Sequence, residues 1–90
     1  MKPEAILGWN LRRIRLEKNF SQEEVAFRLG TADQKYISRI ESGDQNITCR
    51  TAFRLAAAIC IDPSELFDTT KLPHKYQSLL KSLYDPLVNN

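Results

Sequence analysis

The sequence predicts an all-helical protein. Apolar residues recur at spacings of three and four through most of the chain, and no useful stretch alternates apolar and polar residues with a period of two. Capping residues bound the same segments, because Ser21, Asp33, Thr48 and Asp62 each precede a run that can form a helix. We therefore expect several short helices and no sheet.

Length, composition and charge limit the possible functions. Ninety residues with a 42% hydrophobic content suit one globular core, and a core of this size would gain from association with a second copy. The net charge of +2 permits a polyanionic partner without requiring one. The chain shows no signal-peptide pattern and no stretch long enough to span a membrane, so we expect a cytoplasmic protein.

The two cysteines, Cys49 and Cys60, are expected to be reduced. If both lie on one helix, they stand roughly 16 Å apart along its axis. A disulfide needs Cα atoms within about 7 Å of each other. We interpret both as small apolar residues rather than as a redox sensor.

Both ends of the chain are predicted to be helical. Leu7, Leu11 and Ile14 share one face of a first helix that runs to about Lys18. After a linker, a last helix is predicted from Pro73 to about Asp85, before Pro86 interrupts it. The apolar face of this last helix consists of Tyr76, Leu79, Leu80, Leu83 and Leu87.

The second helix is predicted over Gln22 to Leu29. Ser21 and Glu24 form a capping-box pattern, in which the serine and glutamate side chains each satisfy an otherwise free helix N–H. Gly30 ends the helix, since glycine tolerates the left-handed conformation common at that position. The residues expected to be buried are Val25, Ala26 and Leu29.

The third helix is predicted over Gln34 to Ser42, with Asp33 as its cap and Gly43 as its end. It has only a thin apolar stripe, formed by Ile37 and Ile40, and is otherwise polar. A helix of this kind buries one narrow face and leaves the remainder to solvent or to a polar partner.

The fourth and fifth helices follow a polar loop. Thr48 is the predicted cap of the fourth helix, and the DPSE motif predicts a short fifth helix over Pro63 to Phe67. The stripe of the fourth helix that we expect to be buried consists of Phe53, Ala56, Ala57 and Cys60.

Two short helices joined by a tight glycine turn, with a polar outer face on the second, have the layout of a helix-turn-helix. The chain contains an ordered set of motifs: Ser21-Gln22-x-x-Val25-Ala26-x-x-x-Gly30, Tyr36-Ile37-Ser38-x-Ile40-Glu41-x-Gly43, Leu55-Ala56 and Glu65-Leu66-Phe67. This set resembles the lambda-repressor and Cro family, the XRE-type regulators, over roughly Leu7 to Phe67. The resemblance implies a five-helix DNA-binding domain in residues 1–68, followed by a linker and an additional C-terminal helix in residues 69–90.

By this resemblance, the third helix is the recognition helix that enters the DNA major groove. Gln34 can offer a donor–acceptor pair to adenine, and Arg39 or Lys35 can donate to guanine. Outside this frame the same side chains would be interpreted as solvated surface residues. The chain has one residue more than the usual family turn before Ile37, so either the turn is longer or the helix begins one residue differently. The predicted base-reading residues are Gln34, Lys35, Ser38 and Arg39.

The resemblance and the helix starts also predict phosphate contacts. Gln22 is similar to the family glutamine that contacts phosphate and steadies the recognition helix. Asn46 and the amides near Thr48 form a second candidate phosphate site at a helix start, where Arg50 either adds charge or is simply solvated.

Arg15 and Glu41 are assigned to structure rather than to DNA contact. The resemblance implies that they pair internally and tie the first helix to the end of the recognition helix. A partly buried charged pair of this kind is costly to break from one side.

No pattern in the sequence points to catalysis, a metal or a cofactor. The single histidine, His74, has no cysteine or carboxylate at metal-ligand spacing beside it, and we interpret it as solvated. No glycine-rich phosphate loop, nucleophile–base pair or small-molecule site is evident.

The expected function is therefore a sequence-specific DNA-binding transcriptional regulator, most simply a repressor, that binds double-stranded DNA as a homodimer. The alternative is a protein-interaction module or antitoxin-type regulator whose C-terminal helix binds a partner protein. We predict that the apolar face of the last helix makes the dimer, and the alternative is that it folds back over the first helix near Leu7 and Trp9. The fourth and fifth helices, through Ile61 or Phe67, are a further candidate for the interface.

Overall fold

The computed structural model describes residues 2–31 and 33–84, with the backbone alone at 78 and 81–84. Within these residues it contains five α-helices and one 3-10 helix and no strand, so the all-helical prediction is confirmed. None of these helices is long and apolar enough to cross a bilayer. The elements are α1 (Pro3–Glu17), α2 (Gln22–Leu29), α3 (Gln34–Glu41), α4 (Cys49–Ala58), the 3-10 helix (Pro63–Phe67) and α5 (His74–Tyr84).

The helix caps explain where the elements begin. The Ser21 hydroxyl accepts from the Glu24 backbone N–H at 3.0 Å, as predicted. The Glu24 carboxylate instead accepts from Arg28 Nε at 2.9 Å, so the second half of the predicted capping box is wrong. A cation one turn along the helix competes for that carboxylate. The complete capping box is formed by Asp62 and Glu65 at the 3-10 helix.

The core lies between α1, α2, α3, α4 and the 3-10 helix. Ile37 and Ile40 are buried in it, which is the orientation predicted for α3. The side chain of Asn10 is also fully buried. Its Nδ2 donates to the carbonyls of Leu66 at 3.0 Å and Asp68 at 2.9 Å, which fastens the 3-10 helix to α1.

The predicted buried stripe of α4 is wrong except at Ala56. Phe53 is 62% exposed, and Ala57 and Cys60 are exposed as well. The helix is apolar on two sides, and periodicity alone does not tell which side meets the core. The stripe that is buried consists of Ala52, Leu55, Ala56 and Ile59.

Both cysteines are free and exposed. Cys60 lies beyond the end of α4, with a φ of 60° in the left-handed region. The interpretation of Cys60 as a packed apolar residue is therefore wrong, because the chain leaves the helix before reaching it.

α5 packs back on α1 through Leu80. Leu80 is buried in a small cluster with Ile6 and Leu72, against which Trp9 packs. Gln77 Nε2 holds the helix to the preceding linker by donating to the carbonyls of residues 69 and 72, at 2.9 and 3.1 Å. Leu80 therefore follows the fold-back alternative and is not available to a second copy.

The other residues of the predicted dimer face have different positions. Tyr76 is half-buried and Leu79 is 47% exposed. The side chain of Leu83 and all of Leu87 lie outside the described residues, as does the predicted helix end at Asp85.

Gly8 allows α1 to cross α3 at close range. A Cβ at this position would lie 2.2 Å from the Ile40 carbonyl oxygen and 2.9 Å from that of Glu41. These are backbone atoms, so the contact has no flexible side chain to give way. The absence of a side chain at Gly8 thus sets how closely the end of α3 approaches α1.

Candidate nucleic-acid interface

α3 presents a continuous polar face. Its two isoleucines are buried, and the four predicted base-reading residues are all exposed. Together they offer an amide, an ammonium, a hydroxyl and a guanidinium group, all of which can donate hydrogen bonds. These residues are Gln34, Lys35, Ser38 and Arg39.

The start of α3 is defined by its cap. The Asp33 carboxylate accepts from the Lys35 backbone N–H at 2.8 Å, which places Gln34 at the first helical position. Gln34 and Lys35 are therefore the leading residues of the helix, and Asp33 is engaged in capping it. The sequence predicted this start for α3.

Gln34 is connected to the core by a chain of hydrogen bonds. Gln34 Nε2 donates to Gln22 Oε1 at 3.1 Å, and Gln22 Nε2 donates to Glu41 Oε1 at 3.1 Å. Gln22 thus links the first residue of α3 to its last. The orientation of the Gln34 amide is set from within the protein before any ligand arrives.

Glu41 is in turn paired with Arg15. Arg15 Nε donates to Glu41 Oε2 at 2.6 Å and Nη2 to Oε1 at 3.1 Å, in a bidentate ion pair. The two side chains are 9% and 3% exposed. Arg15 Nη1 also donates to the Phe20 carbonyl at 2.9 Å, so the buried charges are well satisfied. The pair joins α1 to the end of α3, which is the arrangement the resemblance implied.

Arg39 is oriented by a residue that the sequence analysis did not single out. Its Nε donates to Gln45 Oε1 at 3.3 Å, in the loop after α3. Gln45 Nε2 in turn donates to the carbonyl of Asn46 at 3.4 Å. The only signal in the sequence was the polar character of that loop, and the contact between residues 39 and 45 required the turn at Gly43 to be known.

A second group of predicted contacts lies at the start of α4. Thr48 caps the helix, with its hydroxyl accepting from the Thr51 backbone N–H at 3.1 Å. Asn46 and Arg50 are exposed on either side of it. The free N–H groups and the dipole of a helix start favour an anion, so this end of α4 is suited to phosphate.

Comparisons with known proteins agree with this geometry. A helix-turn-helix family model matches residues 11–66. The uncharacterized HTH-type transcriptional regulator y4dJ of Sinorhizobium fredii is 39% identical over 70 residues, which are 78% of this chain and 90% of that protein. Control protein C.BamHI of Bacillus amyloliquefaciens is 35% identical over 68 residues, 74% of this chain and 83% of that protein.

The fold is also similar to that of a solved structure. The restriction-modification controller protein C.AhdI of Aeromonas hydrophila superposes with a TM-score of 0.67 at 38% identity, over 71% of this chain and 96% of that one. The described helices, the polar face of α3 and these relatives lead to one conclusion. The chain belongs to the helix-turn-helix family of lambda-repressor and Cro-like DNA-binding transcriptional regulators.

Proposed function

We propose that this regulator binds an operator in double-stranded DNA by placing α3 in the major groove. The observation that carries the proposal is the exposed polar face of α3, whose first residue is held by the hydrogen-bond chain through Gln22 to Glu41. A side chain held in place before binding loses less entropy when it pairs with a base.

The base-reading roles follow from the donors and acceptors on that face. Gln34 offers its amide to adenine N6 and N7, and Arg39 or Lys35 donates to guanine O6 and N7. Ser38 lies one turn after Gln34 and can pair with either kind of base. Gln45 contributes indirectly, because it orients the Arg39 guanidinium.

Phosphate contacts accompany the base contacts in this proposal. Gln22 Nε2 uses one hydrogen on Glu41 and retains a second for a phosphate oxygen. Asn46, Arg50 and the backbone N–H groups after Thr48 take a second phosphate at the start of α4.

We propose a homodimer on a roughly palindromic operator. One recognition helix reads few base pairs, and a two-fold pair of helices about 34 Å apart reads two half-sites on one side of the duplex. Repression by excluding RNA polymerase is the simplest outcome of such occupancy, and the site of action is the cytoplasm. The controller proteins among its relatives make a restriction–modification gene the first target to examine.

A protein-interaction module without DNA binding is not favoured. The apolar tail that would have supported it is partly engaged within the chain, since Leu80 packs on α1. We propose no catalytic role, because the family to which the chain belongs consists of DNA-binding regulators.

The test is selection of bound duplexes from a randomised pool, with wild type and three variants. Arg39→Ala should cost about 1–3 kcal/mol at one base position and relax the preference there. Gln22→Ala should weaken binding to all sequences alike. Arg12→Ala, an exposed arginine on α1, is the matched control and should change neither. An unchanged base preference in Arg39→Ala would contradict the placement of α3.

A further inference from the structure

The most exposed large apolar side chain in the described part of the chain is that of Phe27, in α2. It is 81% exposed, whereas the other exposed phenylalanines and leucines reach at most 62%. Apolar surface of this size gains free energy when a partner removes it from water. Single exposed apolar residues are common, so the surroundings of Phe27 have to show which partner it suits.

Phe27 lines a recess that opens between α2 and the start of α3. The recess has a volume of about 370 Å³, and its walls are formed by Glu23, Phe27, Thr31 and Gln34. Glu23 and Phe27 lie one turn apart on the same side of α2. Gln34 is the first residue of α3 and one of the proposed base-reading residues. The recess is therefore continuous with the proposed DNA interface.

The Gln34 amide relates this recess to a particular base. Its Nε2 donates one hydrogen to Gln22 Oε1 at 3.1 Å, which leaves the second hydrogen for N7 of an adenine and Oε1 for the N6 amino group. Consecutive bases along one strand of the duplex are about 3.4 Å apart. A side chain that shares a recess with Gln34 is thus placed for the base pair next to that adenine.

We propose that Phe27 is a further specificity-determining residue, and that it packs against the C5-methyl group of a thymine next to the adenine read by Gln34. The thymine methyl is the apolar group that the major groove presents, and apolar side chains contact it. The inference rests on the proposed function, because it adds a residue of α2 to the operator contacts of α3.

The charge of the recess favours a base over the DNA backbone. Glu23 contributes a carboxylate to the wall, and neither Thr31 nor Gln34 carries a positive charge to offset it. The carboxylate repels a phosphate, whereas a thymine methyl group carries no charge. The recess therefore differs from the start of α4, where Arg50 and the free N–H groups suit a phosphate.

Other exposed apolar residues do not share this position. Leu16 is 51% exposed on α1 and lines a separate recess with Trp9, Arg12 and Arg13. All four of these residues belong to α1, and none of them is a proposed base-reading residue. Leu16 is therefore a suitable control for the loss of an exposed apolar side chain.

The test uses the duplex that the wild-type protein selects from the randomised pool. The adenine position is identified first, as the one whose preference is relaxed in Gln34→Ala. The thymine next to it is then replaced by deoxyuridine, which keeps the base pair and lacks only the methyl group. Binding of the wild type should weaken about fourfold per half-site, the factor that corresponds to burial of one methyl group.

Variants of Phe27 test whether this residue contacts the methyl group. Phe27→Ala should bind the thymine and deoxyuridine duplexes equally, and Phe27→Leu, which keeps an apolar side chain, should retain part of the difference. Leu16→Ala is the matched control and should retain the full difference. Each comparison uses one protein on two duplexes, so a general change in stability or self-association cancels. Circular dichroism verifies that the variants are folded.

The outcomes separate this inference from the proposed function. A wild type that binds both duplexes equally, or a Phe27→Ala protein that keeps the fourfold difference, overturns the inference and leaves operator binding intact. The inference is also overturned if Gln34→Ala relaxes no position, or relaxes one that has no thymine beside it. If the wild type selects no duplex at all, the operator-binding proposal fails and the role of Phe27 falls with it.

Discussion

α3 and α4 are helices of similar length whose outward faces differ in chemistry. α3 turns Gln34, Lys35 and Arg39 outward; all three can donate hydrogen bonds, and the lysine and arginine are positively charged. α4 turns Phe53 and Ala57 outward. Polar groups hydrogen-bond to water until the groups of a nucleic acid replace that water. Burial of an exposed apolar face is favourable because it removes apolar surface from water. The face of α3 therefore suits a polyanion such as DNA, whereas the exposed phenylalanine of α4 would gain by burial against another apolar surface.

Salt should separate these two faces most strongly. Raising the salt concentration from 50 to 200 mM should weaken DNA binding roughly a thousandfold if about six phosphates are contacted, because bound counterions are released. Self-association of the chain should change less, because burial of apolar surface does not release counterions. Fluorescence titration of labelled duplex and sedimentation at the same salt concentrations measure both quantities. A salt-independent DNA affinity would contradict the proposed phosphate contacts.

Removal of the Glu41 side chain should destabilise the fold at the end of α3. Glu41→Ala leaves Arg15 buried without its partner, and this should lower the free energy of unfolding by about 3–5 kcal/mol. Glu17→Ala is the control, since its pair with Arg13 is a surface pair with the glutamate side chain 61% exposed, worth at most about 1 kcal/mol. Urea denaturation gives both values. Similar losses of unfolding free energy for the two variants would show that the Arg15–Glu41 pair contributes no more than a surface pair.

Mild acid should have the smallest effect on stability, and it should act at Asp62, which caps the 3-10 helix that follows α4. Hydrogen bonds from the Ser64 hydroxyl and backbone N–H hold the pKa of Asp62 below its usual value of 3.8. A depressed pKa in the folded state adds stability above the unfolded pKa, and this is lost as pH falls through the folded value. Thermal melts between about pH 5 and pH 3 should show a smaller decline for Asp62→Asn than for wild type. An equal decline would assign the acid sensitivity to other carboxylates.

The orientation of α3 was predictable, and that of α4 was not. Ile37 and Ile40 form the single apolar stripe of α3, so only one orientation buries carbon. α4 has two stripes, and the sequence analysis chose the one that contains Phe53, which is exposed. Local periodicity ranks faces by their apolar content, and it fails where two faces have similar content.

Contacts between residues that are distant in the sequence could not be predicted from the apolar pattern either. Gln22 and Gln34 were each identified, but their hydrogen bond joins residues 12 apart in sequence. The contact of Arg39 with Gln45 and the close crossing at Gly8 depend on how α1 and α3 pack. Such contacts are decided by the crossing of helices rather than by the residues within one helix.

The amino-acid sequence by itself determined the helical class, the bounds of α2 and the 3-10 helix, and the polar character of α3, because caps and apolar spacing act over a few residues. The tertiary structure alone decided which side of α4 is buried, where Leu80 packs, and how the Gln34 amide is held. These outcomes depend on the whole set of surfaces competing for one small core, since an apolar face is buried only if another element has room to cover it.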